Sequence, residues 1–246
     1  MKHILIGHRG VPSAAPENTL SSFKMAEKIG VPWIECDVEV LGDGTVVLSH
    51  DATLDRCTDH TGLLADLKKS DLTTIDAGSW FGNEFNGERI PSLEDFIGYI
   101  NTTRLSVNLE IKSCADTALT QMLIDGVIAQ LKKQWEKDRP LLVSSFHHDV
   151  LMTLKKQMPD ILVACLFEQQ DTEQHWIKNM EQTEATIIHP KNEGLTQQQI
   201  LAMKARGYKI NVWTVNNLNR AKELYDWGVD GIFTDIPQHF PMYYHQ

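Results

Sequence analysis

The sequence has no hydrophobic run long enough to cross a membrane. Its longest apolar stretches, such as ILVACLF at 161–167, fall far below the ~18 residues that a membrane-spanning helix needs. Near the N-terminus only Ile4, Leu5 and Ile6 stand together before Gly7, whereas a secretory signal contains roughly 7–15 apolar residues. We therefore expect no transmembrane segment and a cytoplasmic location.

Cysteine and positive charge are also scarce. The four cysteines, Cys36, Cys57, Cys114 and Cys165, are widely separated and form no CxxC pair, so we expect reduced, mostly buried thiols. Lysine and arginine total 23 against 33 aspartates and glutamates, which gives a net charge of −10. An acidic surface repels polyanions, so we do not expect a nucleic-acid-binding protein.

The remaining composition and the residue pattern indicate a folded α/β protein. Hydrophobic residues make up 42% of the 246, which excludes disorder over most of the chain. Strand and helix alternate until eight strands are reached, which predicts a single (β/α)₈ TIM barrel over residues 1–246. The predicted strands are 3–7, 33–40, 106–112, 141–145, 161–167, 185–190, 208–215 and 230–235, and the predicted helices are 19–29, 117–135, 150–158, 196–205 and 218–227.

The regular spacing is interrupted once, between residues 51 and about 105. Gly, Asn, Asp and Thr are frequent there and no long helix or strand is evident, which predicts a small inserted subdomain after the second strand. Just before it, Gly42 and Gly44 predict a tight hairpin that delivers His50 and Asp51. An insertion on the working face of a barrel often forms part of a substrate lid.

Charged and hydrophobic residues alternate in the second and third predicted strands. Glu35 and Asp37 share one face of the second, and Glu110 and Lys112 share one face of the third. A solvent-facing antiparallel sheet shows the same alternation, but the intervening helices favour parallel strands whose charged faces point into a barrel. Three clustered carboxylates favour a hard cation, Mg²⁺ or Ca²⁺. The alternative is that one or more of them pairs with Lys112 or Arg9.

Two histidines, His8 and His50, follow strand ends, where barrel enzymes place their catalytic groups. Because imidazole titrates near neutral pH, one histidine can accept a proton while the other donates one. The alternative for each is a structural role. Three further histidines, His147, His148 and His189, are interpreted as loop residues.

Other polar and aromatic residues complete the candidate site. Arg9 and Lys112 supply positive charge that suits a phosphate oxygen. Trp213 lies on the same face of its strand as Asn211, where it could form the floor of a pocket or pack in the core. Asn18 precedes the first helix and is interpreted as its N-cap.

The motifs that contain these residues occur in a recognisable order. The sequence contains GHRG at 7–10, PENT at 16–19, ECDV at 35–38, SHD at 49–51, LEIK at 109–112, NVWTVN at 211–216 and TDIP at 234–237. This pattern resembles the glycerophosphodiester phosphodiesterase family, and its bacterial cytoplasmic branch is the nearest likeness. The resemblance implies a (β/α)₈ barrel with one inserted subdomain that hydrolyses glycerophosphodiesters to sn-glycerol 3-phosphate and an alcohol.

The resemblance also implies a role for each candidate residue. His8 would be the base that activates the glycerol 2-hydroxyl, and His50 the acid that protonates the departing alcohol. The product of that step is a cyclic phosphate, which water opens. The implied ligands of one divalent cation, Mg²⁺ or Ca²⁺, are Glu35, Asp37 and Glu110; the implied substrate-binding residues are Arg9 and Lys112 at the phosphate and Trp213 near the glycerol.

Two other functions are compatible with the residues. In the first, Lys112 acts with Mg²⁺ as the base that abstracts a proton beside a carboxylate. In the second, the barrel binds a phosphodiester without cleaving it. The paired histidines argue against both, because phosphoryl transfer uses an acid and a base whereas binding needs neither.

Overall fold

Nine strands form a single sheet in the computed structural model, which describes residues 3–114, 116–171 and 176–241. They are β1 (Ile4–Gly7), β2 (Trp33–Val40), β3 (Val46–Leu48), β4 (Ser106–Ile111), β5 (Leu141–Ser145), β6 (Leu162–Phe167), β7 (Ile187–Pro190), β8 (Lys209–Val212) and β9 (Gly231–Thr234). Eight of them are parallel neighbours in the order β1-β2-β4-β5-β6-β7-β8-β9, and β9 pairs again with β1. This closure confirms the predicted (β/α)₈ barrel and all eight predicted strands.

Seven α-helices occur among the described residues. They are α1 (Leu20–Ile29), α2 (Leu93–Ile100), α3 (Thr117–Gln134), α4 (His148–Gln157), α5 (Trp176–Thr183), α6 (Gln197–Ala205) and α7 (Leu218–Asp226). The five predicted helices are confirmed to within two residues at each end, whereas α2 and α5 were not predicted. None of the described helices is both long and apolar enough to span a bilayer.

The segment from 51 to 105 is less irregular than its composition suggested. Its last part forms α2, an eight-residue helix that connects β2 and β3 to β4 and was not evident in the sequence. A capping box begins α2, because Ser92 Oγ accepts from the Asp95 N–H while the Asp95 carboxylate accepts from the Ser92 N–H. This capping signal is present in the sequence, but the surrounding Gly and Asn residues obscured it.

The predicted hairpin before this segment is confirmed. β2 and β3 are antiparallel, with Val40 opposite Val46. The chain after β3 contains three short 3₁₀ helices, Leu64–Asp66, Lys69–Thr73 and Asn83–Phe85. They cover a second hydrophobic cluster, separate from the main core, that comprises Leu41, Val47, Leu54, Leu64, Leu72, Ile75, Ala77 and Ile90.

The two faces of each barrel strand have different environments. Val107, Leu109 and Ile111 of β4 are buried in the main core with hydrophobic residues of α2 and α3. The alternate residues face the barrel interior, where Asn108 Nδ2 donates to Ser144 Oγ at 2.9 Å. All four cysteines are free thiols, as expected, although only Cys36 and Cys165 are fully buried. The outward faces of the strands thus pack against the helices, while the inward faces carry polar residues.

Candidate active site

Three carboxylates converge at the C-terminal end of β2 and β4. The parallel register places Asp37 directly opposite Glu110 and Glu35 opposite Asn108. One carboxylate oxygen from each of Glu35, Asp37 and Glu110 lies within 4.8 Å of the other two, and all three side chains are buried. The predicted convergence of these acids is therefore confirmed by their positions.

Two of the three carboxylates are paired with cations. Lys112 Nζ lies 2.8 Å from Asp37 Oδ1 and 2.6 Å from Glu110 Oε1. Arg9 Nε lies 3.3 Å from Asp37 Oδ2. Burial opposes the charge on Asp37, but Lys112 and Arg9 together hold its pKa well below the ordinary value. Asp37 and Glu110 therefore both belong to the carboxylate cluster and form the ion pairs that were the alternative interpretation.

Glu35 differs from its two neighbours. Its Oε2 atom accepts a hydrogen bond from the Arg9 backbone N–H at 2.8 Å, while Oε1 is buried with no hydrogen-bond partner among the described residues. Burial, with the negative charges of Asp37 and Glu110, raises the pKa of Glu35 well above its ordinary value. A buried carboxylate oxygen without a partner, beside two further carboxylates, is a donor set that fits a hard divalent cation.

His8 stands on the tight turn that follows β1. Arg9 and Gly10 both have positive φ, 53° and 91°, and a Cβ at residue 10 would collide with Ser22. The Ser22 hydroxyl accepts from the Val11 N–H and donates to the Arg9 carbonyl, which fixes the turn. His8 Nδ1 lies 2.6 Å from Asp235 Oδ1, and Nε2 is 4.0 Å from Glu35 Oε2. The ring is therefore oriented with Nε2 toward the carboxylates.

His50 is oriented by a network of charged residues. Its Nδ1 lies 2.7 Å from Asp51 Oδ1, and Asp51 Oδ2 accepts from Arg56 Nε at 2.6 Å. Arg56 binds both oxygens of Glu17 at 2.8 Å, and Glu17 also accepts from Arg9 at 2.8 Å. Burial lowers the pKa of His50. The network connects the segment after β3 to the turn after β1.

Four of these partner residues were not predicted as site residues. Glu17, Asp51 and Asp235 occur inside the PENT, SHD and TDIP motifs, so the motifs themselves were the signal that could have identified them. Arg56 belongs to none of the motifs, and only its contacts reveal its position.

The prediction that Asn18 caps the first helix is wrong. Thr19 is the N-cap, since its hydroxyl oxygen accepts from the Ser22 N–H at 3.3 Å. Asn18 has a positive φ of 57°, and its amide faces the carboxylates. It donates to Asp37 Oδ2 at 2.8 Å and accepts from the Asp37 N–H at 3.1 Å. Asn18 therefore helps to hold Asp37 in place.

A cleft of about 380 Å³ opens above the carboxylates. Both predicted histidines, His8 and His50, line it together with Trp213. Trp213 packs perpendicular to Phe146 at 5.3 Å and donates from Nε1 to the His189 carbonyl at 2.9 Å. It thus both forms a wall of the cleft and packs against its neighbours. All the predicted site residues except Asp37 line this cleft, and Asp37 is in contact with Arg9 and Lys112, which do.

The interpretation of the later histidines as loop residues is wrong for two of the three. His189 lies within β7 and is fully buried, with its ring 4.9 Å from Phe233 and its Nε2 atom 3.1 Å from Asn211 Nδ2. Burial lowers the pKa of His189 to about 3. His148 is the first residue of α4, and His147 immediately precedes that helix.

Comparison with known proteins finds relatives that match nearly the whole chain. The sequence pattern of the glycerophosphoryl diester phosphodiesterase family matches residues 8–239. A glycerophosphodiester phosphodiesterase from Caldanaerobacter subterraneus subsp. tengcongensis is 34% identical over 241 residues, which cover 97% of this chain and 96% of that relative. A glycerophosphodiester phosphodiesterase from Bacillus altitudinis is also 34% identical, over 95% of this chain and 94% of its own.

A solved structure is similar throughout. The structure of an Oleispira antarctica phosphodiesterase in complex with the product sn-glycerol-3-phosphate superposes with a TM-score of 0.91 and 36% identity, covering 96% of this chain and 94% of that one. The expected enzyme class, a phosphoric diester hydrolase, is thereby confirmed. The motifs, the barrel and these relatives together establish that the chain belongs to the glycerophosphoryl diester phosphodiesterase family.

Proposed function

We propose that the protein hydrolyses glycerophosphodiesters to sn-glycerol 3-phosphate and an alcohol with the help of one divalent cation, Mg²⁺ or Ca²⁺. One observation carries the proposal: two histidines, each bound through Nδ1 to an aspartate, border a cleft beside a cluster of three carboxylates. The product bound to the Oleispira antarctica phosphodiesterase supports the substrate class.

Glu35, Asp37 and Glu110 would hold the cation. When bound, it would stabilise the negative charge that develops on the phosphoryl oxygens. Arg9 and Lys112 line the same cleft and would contribute fixed positive charge beside those oxygens. Because the Arg9 and Lys112 side chains already form ion pairs with carboxylates, they are positioned before substrate arrives.

His8 would act as the base. Its Nδ1 faces Asp235, which favours the tautomer with the proton on Nδ1 and leaves Nε2 as a proton acceptor. That atom would take the proton of the glycerol 2-hydroxyl as the hydroxyl attacks phosphorus. The carboxylate of Asp235 would then stabilise the imidazolium, as in other histidine–aspartate pairs.

His50 would act as the acid. Asp51 orients the ring through Nδ1, so that Nε2 is left to protonate the departing alcohol. Since burial lowers the pKa of His50, its protonated form is a stronger acid than an exposed imidazolium. We also propose that residues 51 to about 105, which supply Asp51 and Arg56, form the inserted subdomain that completes this side of the cleft.

The rival reaction, in which Lys112 acts as a base, is disfavoured by the environment of that lysine. Burial opposes the charge of the ammonium group, but Asp37 and Glu110 hold the pKa of Lys112 above its ordinary value. A lysine that stays protonated has no lone pair with which to abstract a proton. Binding without cleavage is disfavoured because it requires neither of the two histidine–aspartate pairs.

The test measures release of glycerol 3-phosphate from glycerophosphocholine in EDTA, in Mg²⁺ and in Ca²⁺. We expect release only with a cation. His8→Ala and His50→Ala should each lower kcat by roughly 10²-fold or more. The matched control is His60→Ala, which removes an exposed histidine that also binds the neighbouring aspartate, at 2.6 Å, but does not line the cleft; its kcat should be unchanged.

Two results would contradict the proposal. A folded protein that releases no product with any cation would indicate the binding function. Proton exchange on a carboxylic acid, lost in a Lys112→Met variant, would indicate the lysine-base reaction instead.

A further inference from the structure

A second cavity adjoins the cleft on the side of His50. It is an open hollow of about 470 Å³, lined by residues from the ends of β2, β4 and β5. Four residues line both cavities: His50, Glu110, Lys112 and Phe146. The wall between the two cavities therefore consists largely of the groups proposed to act on the phosphate.

A phosphodiester has two arms that extend from one phosphorus atom. If phosphate lies at the shared wall, one arm enters each cavity. Trp213 borders only the first cavity, which suits the glycerol arm, and the second cavity then receives the alcohol. His50, the proposed acid, borders both and is positioned between the phosphate and the leaving alcohol.

Glu39 is an acidic residue of this second cavity that lies outside the proposed cation site. It is the next inward-facing residue of β2 after Asp37, and its side chain is buried at the cavity wall. Within the described chain, no nitrogen of Lys, Arg or His lies close enough to form an ion pair with it. The nearest cation, Lys112, is bound to Asp37 and Glu110, and the Cys114 thiol contacts Glu39 at 3.6 Å. Burial raises the pKa of Glu39 to about 7, and a cation bound beside it would favour the charged carboxylate.

A third cavity also touches His50, between the barrel and the segment after β3. Its charged residues, Glu17, Asp51 and Arg56, are bound to one another. A ligand entering there would have to break these ion pairs, so this cavity is less suited to a charged alcohol.

Building on the proposed function, we propose that Glu39 selects substrates whose alcohol carries an amino or quaternary ammonium group. The carboxylate attracts the cation of such an alcohol, and the Phe146 ring at the same wall offers it an aromatic surface. An alcohol that is a neutral polyol gains neither interaction. The second cavity is therefore a subsite for cationic alcohols.

The test compares kcat/KM for two substrate classes in Glu39→Gln, which keeps the shape of the side chain and removes its charge. Glycerophosphocholine and glycerophosphoethanolamine represent the cationic class, and glycerophosphoglycerol represents the neutral class. We expect the ratio of cationic to neutral kcat/KM to fall about 10-fold, mainly through KM, which corresponds to about 1.4 kcal/mol. The control Glu136→Gln removes an exposed carboxylate remote from the cleft and should leave the ratio unchanged.

The outcomes separate this inference from the proposed function. An unchanged ratio in Glu39→Gln, with both classes still cleaved, would overturn the subsite. An equal fall for both classes would also overturn it, because Glu39 would then act on the site as a whole. Failure of the unmodified protein to release glycerol 3-phosphate from either class would instead refute the proposed function.

Discussion

Replacing Glu35 by glutamine should stabilise the protein in the absence of a divalent cation. One oxygen of Glu35 lies within 4.8 Å of an oxygen of Asp37 and of Glu110. Two unit charges at that distance repel by about 3 kcal/mol at an effective dielectric constant of ~20. Lys112 and Arg9 offset much of this repulsion, so we expect a net gain of roughly 1–2 kcal/mol in the free energy of unfolding.

Glutamine preserves the hydrogen bond between Glu35 and the Arg9 backbone. Its amide oxygen can still accept from the Arg9 N–H, which the carboxylate accepts at 2.8 Å. Glu110→Gln is the matched comparison. Burial and the charge of Asp37 raise the pKa of Glu110 as well, but this change also weakens the 2.6 Å ion pair with Lys112, so it should stabilise the protein less. The two conservative substitutions, both within the carboxylate cluster, should therefore differ in size, with the larger gain in stability for Glu35→Gln.

Urea unfolding at pH 7.5 measures both effects, once in EDTA and once in excess Mg²⁺ or Ca²⁺. A ligand at 100 times its Kd adds about 2.7 kcal/mol to the stability of a protein that binds it only when folded. The unmodified protein should gain this stability, and Glu35→Gln should gain much less. Destabilisation of Glu35→Gln in EDTA, or equal stabilisation of both proteins by the cation, would refute the reasoning.

Three further predictions concern other parts of the chain. Burial lowers the pKa of His189 from 6.5 to about 3, so between these pH values the unfolded chain binds more protons and the free energy of unfolding decreases as pH falls. Urea unfolding should show that His189→Gln removes roughly 2 kcal/mol of the stability lost between pH 7 and 5. An unchanged loss would contradict this prediction. In Arg56→Ala, Asp51 loses the group that orients it, so kcat should fall about 10-fold, its pH profile should shift and KM should change little. Arg56→Lys should restore part of kcat. An unaltered pH profile would contradict the positioning role of Arg56. Asp76 accepts three backbone N–H bonds of 2.6–2.8 Å, so Asp76→Ala should lower the free energy of unfolding by about 3 kcal/mol. Asp66→Ala, at an exposed site, should change it by less than ~0.5 kcal/mol. Equal effects of the two substitutions would show that these hydrogen bonds do not stabilise the fold.

The sequence was a good guide where one strand or one helix decides the outcome. The alternation in β2 places Glu35 and Asp37 on one face whatever the rest of the chain does, because side chains of a strand point to opposite faces in turn. The same reasoning placed Glu110 and Lys112. It failed for α2, an eight-residue helix whose capping signal is easily overlooked among turn-forming residues.

Partnerships between distant residues were harder to predict. His8 and Asp235 are 227 residues apart and meet only because β9 pairs with β1. Arg56 reaches Glu17 across 39 residues because the segment after β3 folds over the turn that follows β1. No local sequence pattern predicts either contact. The motifs identify such residues but do not show which of them interact.

The sequence by itself determined the strands, most of the helices and the inward-facing side chains, because these depend on residue periods of two and 3.6 within a short segment. The tertiary structure alone decided which charged groups at the barrel mouth form ion pairs. It bound Lys112 to Asp37 and Glu110, left one oxygen of Glu35 without a partner among the described residues, and left Glu39 facing an open cavity. The physical reason is that charge pairing depends on distances of a few ångströms between strands, and closure of the barrel sets those distances.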